Sequence, residues 1–259
     1  MLPTVEKIVF EYLESERTKR TRPPSLLEGK LHANASSAGG CARAIAFRIT
    51  GLEGAPLTGD SLFNFHIGNA VHDLIQTALL VKVPGAKAEV NGVIGDFITC
   101  RADLSYLAED SKKVCCEIKT TSDFGFKLAT GAKLKSNGQW NKKDQVGEGP
   151  KIEHILQVGI SAKGLDAEYL AIVYARKTAT KDEVVTWEWR FKIEQWETEI
   201  QAEIARLKQI VETVSEGRIP DREYQGKILD NPAITRWPCQ YCDFRSPCLK
   251  LGAGEVKIT

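Results

Sequence analysis

The chain has almost no net charge. Its 35 lysines and arginines meet 34 aspartates and glutamates, a formal +1 over 259 residues, so no overall field draws it to nucleic acid or anionic lipid, and any polyanion site must be a local basic patch. Long apolar runs are missing too. Nothing approaches the roughly 20 apolar residues that cross a bilayer, and the stretch MLPTVEKIVFEYLESERTKR places Glu6, Glu11 and Glu14 among its apolar positions and lacks the apolar h-region of a signal peptide. An intracellular, membrane-free location follows by elimination. There is no internal repeat and no G-x-x-x-x-G-K-[ST] loop, which, with the short length, excludes a helicase.

What is present suits a compact fold. Hydrophobic residues make up 42% and charged residues 27% of the chain, enough to bury a full core as one large domain or one domain with a small appended subdomain. Seven cysteines are an odd number, and in a reducing compartment they are free thiols or metal thiolates rather than disulfides. Cys100, Cys115 and Cys116 fall in strand-like segments and read as small core residues. Cys41, Cys239, Cys242 and Cys248 need another account.

Periodicity organises the chain. Residues 5–17 have helical spacing and lead into a basic, Pro-containing arm with Lys19, Arg20 and Arg22. A short helix from Ala42 to Ile49 ends near Gly51, with Cys41 at its start. Residues 60–80 carry Phe65, Gly68, His72, Ile75 and Leu79 on one helical stripe. From Glu89 the pattern turns to strands: VNGVIGDFIT, CRADLSYL and VCCEIKTT. Residues 120–150 read as a long loop with Trp140 as an isolated aromatic. The helix IEHILQVGISAKG follows, then the strand EYLAIVYAR, a hairpin connection, and VVTWEWRFK with Val185, Trp187, Trp189 and Phe191 on one face. A long amphipathic helix from Ile193 to Ser215 is stopped at Gly217. The tail has little periodicity and must take its order from something else.

Strand alternation puts Arg101, Asp103 and Ser105 on one face and Cys100, Ala102, Leu104 and Tyr106 on the other. It also makes Glu117 and Lys119 same-face neighbours. Two carboxylates joined by the imidazole of His72 offer hard O and N ligands to magnesium or manganese, and a lysine beside them suits charge developing on a phosphate. Taken singly, an E-x-K strand is an ordinary solvated face and a lone histidine on an apolar stripe an ordinary core residue. The order is more specific: G-x-x-x-H on a helix, Asp on a strand, E-x-K on the next, then a helix bearing Gln157.

That order resembles the PD-(D/E)XK nuclease superfamily, and within it the RecB-like branch, over roughly Cys41 to Cys248. The resemblance implies an α/β, restriction-endonuclease-like fold: a central mixed β-sheet flanked by helices. It implies divalent-metal binding by His72, Asp103, Glu117 and the carbonyl of Ile118, with Lys119 catalytic and Gln157 assisting. A family tyrosine four residues after the glutamine is absent. Ser161 stands there, leaving Tyr174, or no residue, in its role.

C-x-x-C spacing lets Cys239 and Cys242 meet one metal, Cys248 can fold back to the same point, and Cys41 is the candidate fourth ligand. Zinc is the general expectation for four thiolates. The one-plus-three split, however, resembles the iron-sulfur RecB-like nucleases: the AddB-type subunits and the small CRISPR-associated exonucleases with their phage relatives. There the cysteines hold a 4Fe-4S cluster in a small subdomain joining the two ends of the chain. The expected division is 1–59, an N-terminal helical segment and basic arm; 60–218, the nuclease core; and 219–259, the cluster-binding segment.

By this resemblance the protein is a metal-dependent deoxyribonuclease of the prokaryotic or phage-infected cytoplasm. It is expected to act on single-stranded DNA ends as an exonuclease, 5′ to 3′, with homo-oligomers or recombination or CRISPR proteins as possible partners. Arg43, Lys133, Lys135, Trp140, Lys142 and Lys143 are the candidate DNA contacts. Two other readings stand beside it: a DNA-end-binding adaptor in a larger complex, and a zinc-stapled duplex endonuclease.

Overall fold

The computed structural model describes residues 8–9, 11–12, 15, 24–56, 59–130, 133–134, 140–141, 149–177, 186–223, 239, 242–251 and 256–257. Among them the chain forms β1 (Leu26–Leu27), β2 (Lys30–Leu31), β3 (Ala33–Asn34), α1 (Ala42–Ile49), α2 (Gly59–Lys82), β4 (Lys87–Ile94), β5 (Ile98–Leu107), β6 (Lys113–Thr121) and α3 (Asp123–Thr130). There follow β7 (Lys133–Leu134), β8 (Trp140–Asn141), α4 (Ile152–Gly164), β9 (Tyr169–Arg176), β10 (Thr186–Lys192), α5 (Glu197–Ser215), β11 (Arg218–Ile219), α6 (Arg245–Lys250) and β12 (Val256–Lys257).

The architecture is α/β with a central mixed sheet flanked by helices. Its order is β10-β9-β6-β5-β3, with β4 also on β5; β9 runs parallel to β6, and β10 returns antiparallel to β9. One face is covered by α1, α4 and α5, whose Ile45, Phe47, Val158, Ile160, Ile200 and Leu207 are buried with Cys100, Cys115, Leu170 and Ile172. Across the sheet, Ile75 and Leu79 of α2 pack on a second cluster of Leu104, Val114, Cys116, Ile118 and Ala171. Ala33, Ala35 and Phe244 belong to the larger cluster, so parts of both end segments share the core of the sheet.

Several segments differ from the sequence expectation. The run VNGVIGDFIT is two strands, because Gly95 takes a positive φ of 55° and turns β4 into β5. Part of the expected loop at 120–150 is α3, whose Phe126 is buried, followed by the β7–β8 pair. In the tail, β11 pairs with β12.

Two contacts fix α4, the helix that carries Gln157. At Gly159 a Cβ would stand 2.4 Å from Ile200 Cδ1, so glycine lets α4 and α5 approach closely. At the start of α4, the Tyr174 hydroxyl of β9 lies 2.7 Å from His154 Nδ1 and accepts the Lys151 N–H at 3.3 Å.

Gly159→Ala is expected to lower stability by about 1–3 kcal/mol, since Ile200 is fully buried and the clash outweighs the gain in helix propensity. Denaturant midpoints measure it. A second expectation concerns pH. Burial, with Lys119 and Lys151 adding to it, lowers the His154 pKa from 6.5 to about 3. The unfolded chain then binds a proton across that window while the folded one does not, so stability falls as pH drops from about 6.5 toward 3. Thermal unfolding at stepped pH should show a shallower fall for His154→Gln than for the wild type.

Candidate active site

The site begins where two strands part. β6 is paired to β5 from Leu107↔Lys113 to Leu104↔Cys116, and β3 takes the same edge of β5 at Ile98 and Thr99. Between them, among the described residues, Cys100–Asp103 faces no strand on that side. The Ile118 N–H, buried and in need of an acceptor, donates to Asp103 Oδ2 at 2.6 Å instead. On the opposite edge, Glu89 has a positive φ of 53° between the pairs Ala88↔Leu104 and Val90↔Ala102.

That irregularity corrects the expected alternation of β5. Cys100 and Ala102 join the cluster beneath α4, whereas Leu104 and Tyr106 join the cluster beneath α2. Asp103 sits at the changeover. A uniform period of two misses it because the strand changes phase at Asp103.

Glu117 is 4% exposed. Its Oε1 accepts from Lys119 Nζ at 2.7 Å and from Gln157 Nε2 at 2.7 Å, and Lys119 also donates to Gln157 Oε1 at 2.9 Å. The three polar groups form a closed triangle. Glu117 Oε2 is buried without a hydrogen-bond partner. Burial pushes the Glu117 pKa up to about 7, with Lys119 opposing the shift and Asp103 adding to it. Asp103 is raised as well, chiefly by burial and against the Ile118 hydrogen bond.

His72 is brought to the same place from α2, its Nδ1 3.7 Å from Asp103 Oδ2. One turn later Gln76 donates to Glu89 Oε1 at 2.8 Å and to the Asp103 carbonyl at 3.1 Å, tying α2 to β5. The sequence reading missed Gln76, although its i+4 offset from His72 was a usable signal. At Gly68 a Cβ would come within 3.2 Å of Thr120 Oγ1. Two clefts meet at Glu117. One, of about 420 Å³, is lined by Asn34, Asn91, Thr99, Arg101 and Gln157 among others; the second, of about 560 Å³, lies along α2 beside His72 and Lys119.

Other candidates divide. Ser161 is buried in the core with its hydroxyl unpartnered, and it lines neither of these clefts. Tyr174 is paired in register with Lys119 and anchors His154. Arg43, expected to contact DNA, is 0% exposed: its Nε donates to the Pro220 carbonyl at 2.8 Å, and Nη1 lies 4.0 Å from Cys248 Sγ. It is an internal clamp rather than a phosphate contact. Lys19, Arg20, Arg22, Lys135, Lys142 and Lys143 lie outside the described residues, as do the side chains of Lys133 and Trp140.

Cys100, Cys115 and Cys116 are buried as expected, with pKa values raised by burial, that of Cys100 to about 11. Cys41, Cys239, Cys242 and Cys248 are half-buried free thiols. Burial raises the pKa values of Cys239 and Cys242, and Cys41 and Cys248 push both in the same direction. Arginines surround them. Arg206 donates to the Gly40 carbonyl at 2.9 Å beside Cys41, and Arg222 donates to the Cys248 carbonyl at 2.7 Å.

Among the described residues, no three His, Cys, Asp or Glu side chains stand together in metal-ligand geometry. The donor types nonetheless fit. The unpartnered Glu117 Oε2, in a cleft that Asp103 also lines, is an acceptor that a hard cation would satisfy, and cysteine thiolates are the donors that a thiophilic metal centre takes.

No family model matches the chain, and no curated protein matches it. The fold is similar to that in the crystal structure of SSO0001, at 16% identity and a TM-score of 0.51 over 95% of this chain and 96% of that one. Looser superpositions link it to a phage-related exonuclease from Haemophilus somnus 129PT, at 10% identity over 58% of this chain and 71% of that one with a TM-score of 0.37. An alkaline exonuclease, LHK-Exo, from Laribacter hongkongensis matches at 12% identity over 78% and 96%, also with a TM-score of 0.37. The first likeness is one of fold, and the other two superpose too loosely to bear on this chain.

Proposed function

We propose that the protein is a divalent-metal-dependent DNA exonuclease of the PD-(D/E)XK, RecB-like type. It acts on single-stranded ends, 5′ to 3′, and is closed by a 4Fe-4S cluster on Cys41, Cys239, Cys242 and Cys248. The observation that carries the reading is buried Glu117. It is bound through one oxygen to Lys119 and Gln157 and leaves the other unpartnered, in a residue that lines one cleft with Asp103 and the other with His72.

Each residue then has a task. Glu117, Asp103, His72 and the Ile118 carbonyl would hold magnesium or manganese, which when bound supplies Lewis acidity and a nucleophilic water. Lys119 sets its ammonium against the buried carboxylate at 2.7 Å and would offset the charge a phosphate gains in the transition state. Gln157 holds both ends of the Glu117–Lys119 pair and so sets their rotamers. Asp103 works twice, as a ligand and as the acceptor that keeps β6 apart from β5.

The purified protein is expected to degrade end-labelled single-stranded DNA with magnesium or manganese and not with EDTA. Lys119→Ala should reduce the rate by at least about 100-fold, and Glu117→Ala should abolish it, with thermal unfolding showing both folded. Undiminished cleavage by both variants rules the assignment out. The cysteine centre is checked separately: anaerobic preparations should be brown, with iron and acid-labile sulfide, and lose both in Cys239→Ser. Colourless protein with one zinc per chain means a zinc staple instead.

A further inference from the structure

The first half of α2 does more than deliver His72. Along the cleft of about 560 Å³ it presents Asn64, Phe65 and Asn69, and Lys177 lines the same cleft. Phe65 is 47% exposed. Seven residues before His72, it lies about 10 Å along the helix at 1.5 Å per residue, on the face that also carries Gly68 and Asn69. Lys177 follows β9; its N–H donates to the Thr121 carbonyl at 3.1 Å, which fixes its backbone, and its ammonium donates to Asn64 Oδ1 at 2.8 Å. The cleft thus offers an aromatic side chain, a cation hydrogen-bonded to a side-chain amide, and amides, and it is also lined by Glu117, Ile118 and Lys119.

An aromatic ring and an ammonium lining one polar cleft suit a ligand with a flat π-face and an anionic group. A nucleotide is that ligand. Its base must be unpaired, because inside a duplex both faces of a base are already stacked and its edge is paired, whereas a single-stranded base can lie on a side chain. The other cleft, lined by Asn34, Asn91, Thr99 and Arg101, has no aromatic side chain in its lining among the described residues. The two sides of Glu117 are therefore chemically unlike.

We propose that the α2 cleft seats an unpaired nucleotide next to the bond that is cut, with its base against Phe65 and a phosphate at Lys177. This rests on the nuclease reading above and adds to it the residues that distinguish unpaired from paired DNA. Lys177 exchanges Asn64 for the phosphate when the strand enters. Phe65 holds the base.

The test is equilibrium binding of the protein as purified, in EDTA, to a fluorescein-labelled oligothymidylate and to a labelled blunt duplex, read by anisotropy. Phe65→Ala should weaken single-strand binding about ten-fold and leave duplex binding unchanged, and Phe65→Tyr should restore it. Lys177→Ala should weaken single-strand binding and lower its salt dependence by about one phosphate contact. Unaltered single-strand binding by Phe65→Ala, or an equal loss on both substrates, overturns the proposal. If that happens while Glu117→Ala still abolishes cleavage, only this subsite is lost. If the wild type neither binds nor cuts DNA, the nuclease reading fails and the subsite fails with it.

Discussion

The arrangement depends on one hydrogen bond replacing a sheet pairing. Asp103 Oδ2 accepts the Ile118 N–H at 2.6 Å, at the point where β6 leaves β5. A buried amide must find an acceptor; here a side chain supplies it, so the strands separate without an unsatisfied donor. The gap left along β5 admits Gln157 from one side of the sheet and His72 from the other. Had the ladder continued past Leu104, it would have closed the space between Asp103 and Glu117.

Charge is handled by containment. Glu117 and Asp103 are both buried, and burial raises both pKa values. Carboxylates in such a place persist only with close partners, which Lys119, Gln157 and the Ile118 amide provide. The same principle operates at the cysteines, where Arg206 holds the Gly40 carbonyl before Cys41 and Arg43 and Arg222 reach the sulfur and the carbonyl of Cys248 in α6. Arg43 illustrates how position in the fold decides a side chain's task. Two residues after Cys41 it looks like a surface cation; turned inward on α1, it reaches Pro220 and Cys248 across the junction of the two chain ends.

Helical segments were the most legible. Ala42–Ile49 and Ile152–Gly164 coincide with the residues read from periodicity and stop signals, and Gly59–Lys82 extends that reading by a residue or two at each end. The aromatic face of Trp187, Trp189 and Phe191 is also present, packed against the main core. Failures cluster where a residue departs from its local pattern. The phase change at Asp103 cannot be read from alternation, because it is imposed by Glu89 on one neighbouring strand and by the departure of β6 on the other. Ser161 shares a helical face with Gln157, yet one turn carries it from the site into the core.

The sequence by itself determined the elements, the polar residues they carry and the separation of four cysteines into one and three, because periodicity and spacing are local properties of the chain. Only the tertiary structure decided which of those residues meet. His72 and Asp103 are brought to 3.7 Å, and Glu117 and Gln157 to 2.7 Å. These are contacts between residues about 30 to 40 positions apart, set by the splay of two strands and the packing of α2 and α4 on opposite faces of the sheet. Such distances depend on how helices seat against a twisted surface, which no one-dimensional pattern specifies.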